Sequence, residues 1–109
     1  MTAPLPPELD AALAAHAFAA MGSEARLAVL RALVRAGGPG LPVAAIAAAV
    51  DLPASTLSHH LKFLSGAGLI RRVRDGRTIR VSADLDRLEG LAAFITRECC
   101  ADLEGHDHG

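Results

Sequence analysis

Apolar positions recur at helical spacing through the first two thirds of the chain, then switch to strand alternation. Over residues 8–21, Leu9, Leu13, Ala17 and Ala20 fall on one stripe, which predicts a first helix. Gly22 interrupts the pattern. Ser23 is a good N-cap, and Glu24 suits the positive end of a second helix carrying Leu27, Leu30, Leu33 and Val34. The run Gly37-Gly38-Pro39-Gly40 ends that helix in a loop. Pro42 fits the first turn of a short third helix over 43–50, and Asp51-Leu52 makes a turn. Pro53 then opens a fourth helix reaching about residue 67, with Leu57, Leu61 and Leu64 facing inward. Residues 69–74 and 77–82 alternate as β-strands around Asp75-Gly76, a hairpin turn signal. From about 85 to 101 a last helix places Leu88, Ala92, Ile95 and Cys99 on one face. That near-heptad spacing suits a helix–helix seam.

Two short helices joined by a tight turn, the second polar on its outer face, form the helix-turn-helix pattern. A hairpin beside them makes a wing. The predicted class is therefore mainly α with a β-hairpin wing (α+β), in the order α-α-α-α-β-β-α. One domain over 8–101 carries it, between a flexible N-terminal arm over 1–7, with three of the six prolines, and a polar tail over 102–109. The 109 residues fit a single domain with a modest core, a size that often gains stability by dimerising. Much of the 51% apolar content is alanine, which favours close helix packing over a bulky core. No apolar run approaches the ~20 residues of a membrane span, and no basic segment leads into an apolar one at the start. A cytoplasmic, reducing location is the expectation.

The net charge of −1 argues against nucleic acid until its distribution is considered. Residues 54–82 hold six basic residues (Lys62, Arg71, Arg72, Arg74, Arg77, Arg80) against Asp75 alone, a net of +5. Residues 83–109 hold Arg87 and Arg97 against seven acidic residues, a net of −5. A basic middle and an acidic end have different tasks. On the fourth helix, Ser55, Thr56, Ser58, His59 and Lys62 lie off the leucine face, and short hydroxyls and an imidazole near a helix N-terminus reach phosphates or base edges. His59 is the candidate base reader; Ser55 and Thr56 could instead only cap the helix, and His60 could pack against the wing. Strand alternation forbids all five wing arginines from facing DNA, and Arg74 and Arg77 are expected to matter most, with Arg77 at the tip. No nucleophile–base set or phosphate loop is present in the sequence, so an enzyme is not expected.

The two cysteines are adjacent, Cys99-Cys100. On an intact helix neighbouring side chains diverge by about 100°, yet near a fraying end they can converge. Thiolates select soft, thiophilic ions, and a vicinal pair suits trivalent arsenic or antimony. Cys99 could equally be a small buried hydrophobe of the seam, whereas Cys100 lies off it.

Three stretches together resemble the ArsR/SmtB family of winged-helix repressors. They are Met21-Gly22-Ser23-Glu24-Ala25-Arg26-Leu27-Ala28-Val29-Leu30-Arg31-Ala32-Leu33, then Ser55-Thr56-Leu57-Ser58-His59-His60-Leu61-Lys62-Phe63-Leu64, and Ala67-Gly68-Leu69-Ile70 leading to Arg74-Asp75-Gly76-Arg77. The resemblance spans about residues 8–100. It implies a homodimer through the first and last helices that binds double-stranded operator DNA without a cofactor and releases it when a metal or metalloid binds. One sensor site of the family uses cysteines in the third helix, and residues 43–50 contain none. Another uses histidines on the last helix, which here has none. The remaining match is to arsenic-responsive members with a Cys-Cys pair at the end of the last helix and a third Cys six residues on, where this chain has His106. The implied inducer is trivalent arsenic or antimony, methylarsenite included, on Cys99 and Cys100, with His106, oxygen, an external thiol or a carbon substituent in the third position. Three alternatives stay open. A Cys2His2-like zinc site could use the tail histidines. The thiol pair could sense redox state or reactive sulfur, though a disulfide between adjacent residues is strained. A metal buffer without an operator would leave the basic wing unexplained.

Overall fold

The computed structural model describes residues 10–99. Five helices, α1 (Ala11–Ala20), α2 (Glu24–Ala36), α3 (Val43–Val50), α4 (Ala54–Gly66) and α5 (Leu85–Ala93), accompany three strands, β1 (Leu41–Pro42), β2 (Ile70–Asp75) and β3 (Thr78–Ala83). A π-helical segment, Phe94–Cys99, continues α5. The arm 1–7 and the tail 102–109 lie outside the described residues. This is the winged helix-turn-helix expected from the pattern, with one strand more.

Local chemistry sets the helix starts. The Asp10 carboxylate accepts from the Leu13 amide at 2.9 Å, and the Ser23 hydroxyl accepts from the Arg26 amide at 3.1 Å. Asp84 does the same for α5, accepting from the Arg87 amide at 3.1 Å. Each bond satisfies one of the donors that a helix N-terminus leaves free, typically worth ~1 kcal/mol. The core joins Val29, Leu30 and Leu33 of α2, Ile46 of α3, Leu57, Leu61 and Leu64 of α4, Leu69, Ile70, Val81 and Leu91.

Two helices are rotated from the stripes expected of them. In α1 the buried residues are Ala14, Ala17 and Ala20, while Leu13 is 42% exposed. In α2, Val29 is buried and Leu27 and Val34 are exposed. Alanines let backbones approach closely, so a helix rich in them can settle on its small face and leave a leucine outside.

The sheet runs β1-β3-β2, antiparallel throughout. Its third strand is too short to be read from periodicity; it pairs Leu41 with Val81 and Pro42 with Arg80. Gly40 makes the pairing possible. It has φ +68, and a Cβ there would stand 2.2 Å from the Val81 carbonyl oxygen. Asp75 pairs with Thr78, so Gly76 and Arg77 are the two turn residues. Gly76 has φ 66, and Asp51 is the one non-glycine residue with positive φ among those described. A positive φ at the first turn position alone is the type II′ pattern, which matches strand twist and favours glycine there.

Candidate nucleic-acid interface

The α3–α4 connection is built on Asp51, which caps α3 in the left-handed region at φ 55, ψ 52. The Leu52 amide then donates to the Ala47 carbonyl at 3.1 Å, and Pro53 starts α4. With Leu57, Leu61 and Leu64 buried, a rotation of about 100° per residue brings Ser55, His59 and Lys62 to the opposite side. Thr56, Ser58 and Phe63 flank them, and all six are exposed. Pro53 makes no side-chain cap bond, and the hydroxyls of Ser55, Thr56 and Ser58 have no hydrogen-bond partner among the described residues. They are not used as caps and remain free for an external acceptor or donor. His60 is half-buried, and its Nδ1 is shielded from solvent without a hydrogen-bond partner among the described residues.

The wing sorts its arginines by face. Ile70, Arg72 and Arg74 pair with Ala83, Val81 and Ile79, whereas Arg71, Val73 and Asp75 pair with Ser82, Arg80 and Thr78. Directly paired residues share a face. Arg80 is committed elsewhere: its Nε donates to the Pro39 carbonyl at 2.9 Å and its Nη2 to the Gly40 carbonyl at 3.0 Å. Arg71 lies beside Asp84, with Nε 3.4 Å from Oδ2. Arg72, Arg74 and Arg77 are exposed and make no ion pair with another described residue. Of the two arginines expected to dominate, both are thus available; Arg72 joins them, and Arg80 leaves the set.

One feature of α4 lies beyond what residue spacing predicts. The Arg26 guanidinium, from α2, sits 4.7 Å over the Phe63 ring. His59 meets the same ring edge to face, with centroids 4.9 Å apart and planes at 82°. A signal for Arg26 existed in the sequence. A cation in the first turn of a helix opposes the macrodipole, a small cue that this arginine is held by contacts outside its own helix.

Cys99 closes the π-helical segment, while Cys100 and His106 lie outside the described residues. No group of three or more His, Cys, Asp or Glu able to hold a metal occurs among the described residues. The Thr96 hydroxyl donates to the Ala92 and Ala93 carbonyls at 3.1 and 3.3 Å within this last stretch. No described helix is long and apolar enough to cross a membrane.

Comparison with known proteins adds relatives to this geometry. A family described as "Helix-turn-helix domain" matches residues 21–73, from the end of α1 into the wing. The nodulation protein NolR of Rhizobium meliloti is 40% identical over 106 residues, covering 95% of this chain and 80% of that protein. Among solved structures, an ArsR-like transcriptional regulator from Rhodococcus sp. RHA1 superposes with a TM-score of 0.77 at 28% identity, over 87% of this chain and 86% of its own. A homodimeric winged helix-turn-helix DNA-binding domain from Mycobacterium bovis superposes with a TM-score of 0.64 at 26% identity, over 95% and 99% of the two chains. The AntR antimony-specific transcriptional repressor does so with a TM-score of 0.62 at 26% identity, over 98% and 100%.

Proposed function

The chain belongs to the ArsR/SmtB family of winged-helix transcriptional regulators, and from that premise we propose a dimeric repressor that leaves its operator when a trivalent arsenic or antimony species binds Cys99 and Cys100. The observation that carries the DNA part is the division of α4: three leucines buried on one side, Ser55, His59 and Lys62 exposed on the other, with the cations Arg72, Arg74 and Arg77 projecting from the adjoining wing. The helix enters a major groove and the wing follows the backbone. A dimer presents two such helices to half-sites about one helical turn, ~34 Å, apart. Support for the dimer comes from the homodimeric Mycobacterium bovis domain and from apolar side chains left exposed on the outer helices, Leu13 of α1, Leu85 of α5 and Ile95 beyond it.

The inducer reading rests on thiolate chemistry and on the likeness to AntR, a repressor specific for antimony. Cys99 and Cys100 would supply two soft thiolates, and His106 or an external ligand the third donor. Cys99 falls in a π-helical stretch, a geometry frequent at functional sites. For release, the inducer must bind the DNA-free state more tightly, by a coupling of typically ~1–3 kcal/mol. The test is a fluorescence-anisotropy titration of operator-bound protein with arsenite, antimonite, methylarsenite and zinc. Arsenite or antimonite should release the wild-type protein, and a Cys99→Ser/Cys100→Ser variant should bind operator equally well and ignore both. Release of that double variant by arsenite would remove the site assignment. Release by zinc alone would replace the metalloid with zinc.

A further inference from the structure

Phe63 is the one large apolar side chain on the polar side of α4, and it is 46% exposed. Core packing does not account for it. Its neighbours do. Arg26 covers one face of the ring, and His59, one helical turn before Phe63, meets the ring at 82°. Arg26 is in turn fixed at its far end, where Nη1 donates to the carbonyl of Ala20, the last residue of α1, at 2.9 Å. Its Nε is buried with no hydrogen-bond partner among the described residues, so the Ala20 carbonyl and the π face of Phe63 together orient the guanidinium plane.

We propose that Arg26 is a positioning residue: by clamping Phe63 from a neighbouring helix it fixes the imidazole of His59, and so sets the base preference of α4. This rests on the reading of that face as the base-reading surface. An exposed histidine on a helix has a broad second torsion and several open rotamers. Base-edge recognition needs a donor held within about 0.5 Å and 10–20°. Phe63 narrows the choice for His59, since side chains four apart on a helix touch. An exposed phenylalanine would itself swing, and the stop is Arg26, which belongs to a different element and is tied to a third. The charge of Arg26 is engaged with a ring and a carbonyl, so its removal should leave phosphate binding unchanged.

The experiment begins with operator sites selected by the wild-type protein from a randomised duplex library. Affinity for the selected duplex, for single-base variants of it and for unrelated duplex is then measured over a range of salt. The proteins are His59→Ala, Arg26→Met, Arg26→Lys and Phe63→Leu. His59→Ala should lose its preference at one base position in each half-site. Arg26→Met and Phe63→Leu should lose about fivefold in discrimination at that same position. Their salt slope and affinity for unrelated duplex should match the wild type, and Arg26→Lys should recover part of the discrimination. In NMR spectra of the free protein, the His59 ring protons should move in Arg26→Met as the Phe63 ring current averages out.

Full discrimination in both Arg26→Met and Phe63→Leu, beside its loss in His59→Ala, overturns the positioning role alone. Undiminished base preference in His59→Ala overturns the base-reading surface and this inference with it. A shallower salt slope in Arg26→Met makes Arg26 a phosphate ligand and overturns the inference. A loss spread evenly over all positions with a lowered Tm makes it a mere brace between α1 and α2, with the same consequence. Phe63→Leu leaves the bond to Ala20 intact, so the question stays decidable if Arg26→Met does not fold.

Discussion

Leu57, Leu61 and Leu64 hold α4 by side chains that are 2% exposed or less, whereas every residue of the wing from 71 to 79 is exposed. The wing is held at its base, by Ile70, Val81, the β1–β3 pairing, the Arg71–Asp84 contact and the two bonds from Arg80 to the Pro39 and Gly40 carbonyls. Both regions offer polar groups to the same polymer, but on opposite mechanical terms. A base edge rewards a donor placed within a fraction of an ångström, and only a helix locked into the core supplies that. Phosphates repeat along the backbone, and a cation on a pliant arm finds one at small cost. Val73 at 58% exposure makes the same point, because a β-branched residue there serves strand geometry and no core.

The strongest way to break this comparison is to detach the wing at its base. Gly40→Ala would drive a Cβ to 2.2 Å from the Val81 carbonyl oxygen in a backbone with φ +68, so the β1–β3 pairing must give way. Destabilisation of order 4 kcal/mol is expected, in the range reserved for buried backbone conflicts. Chemical denaturation measures it. In hydrogen exchange, amides of β1 and β3 should lose protection ahead of those of α4. Uniform loss in α4 and the wing together would mean that the two regions are one mechanical unit.

A smaller effect separates the regions in DNA binding. Arg74→Ala/Arg77→Ala should weaken binding to every duplex alike, and the negative slope of log affinity against log salt should become shallower by about 0.9 for each phosphate that is no longer neutralised. His59→Ala should do the reverse, changing preference and leaving the slope. Filter or anisotropy titrations from ~50 to ~200 mM salt cover the range. An unchanged slope in the arginine variant would remove the wing from the interface.

The same contrast explains what could be read from the sequence. The α4 face was legible because three leucines at helical spacing admit one buried side. In α1 and α2 alanine and valine fill the alternatives, so periodicity pointed to stripes that packing rotates, and Leu13, Leu27 and Val34 ended outside. Arg80 looks like Arg74 in the sequence. What distinguishes it is a pair of loop carbonyls some 40 residues away. The strand Leu41–Pro42 has no pattern of its own and exists by its register with Val81. The short run Phe94–Cys99 carries no pattern that separates a π-helical segment from an α-helical end. The Arg26–Phe63 pair joins residues on separate elements, which a one-dimensional reading finds only through the odd placement of a cation at a helix start.

The smallest predicted effect concerns the turn that aims α4. Asp51 occupies the left-handed region at φ 55, ψ 52, which costs most side chains roughly 1–2 kcal/mol and Asn or Asp only part of that. Glycine relieves that conflict but enlarges the unfolded ensemble by an entropy worth roughly 0.5–1 kcal/mol. The two terms nearly cancel, so Asp51→Gly should stay within about 0.5 kcal/mol of the wild type, while Asp51→Ala should lose about 1 kcal/mol. Urea midpoints at constant m resolve the difference. The consequence for DNA is sharper than the one for stability. A glycine at the pivot frees the angle of α4 against α3, so Asp51→Gly should discriminate operator from unrelated duplex less well than its unchanged midpoint suggests. Asp51→Ala, once folded, keeps a restricted backbone at that pivot and should discriminate better than Asp51→Gly despite its lower stability. Discrimination that simply follows stability across the two variants would show that the turn contributes no orientation of its own, and that the buried leucines alone aim the helix.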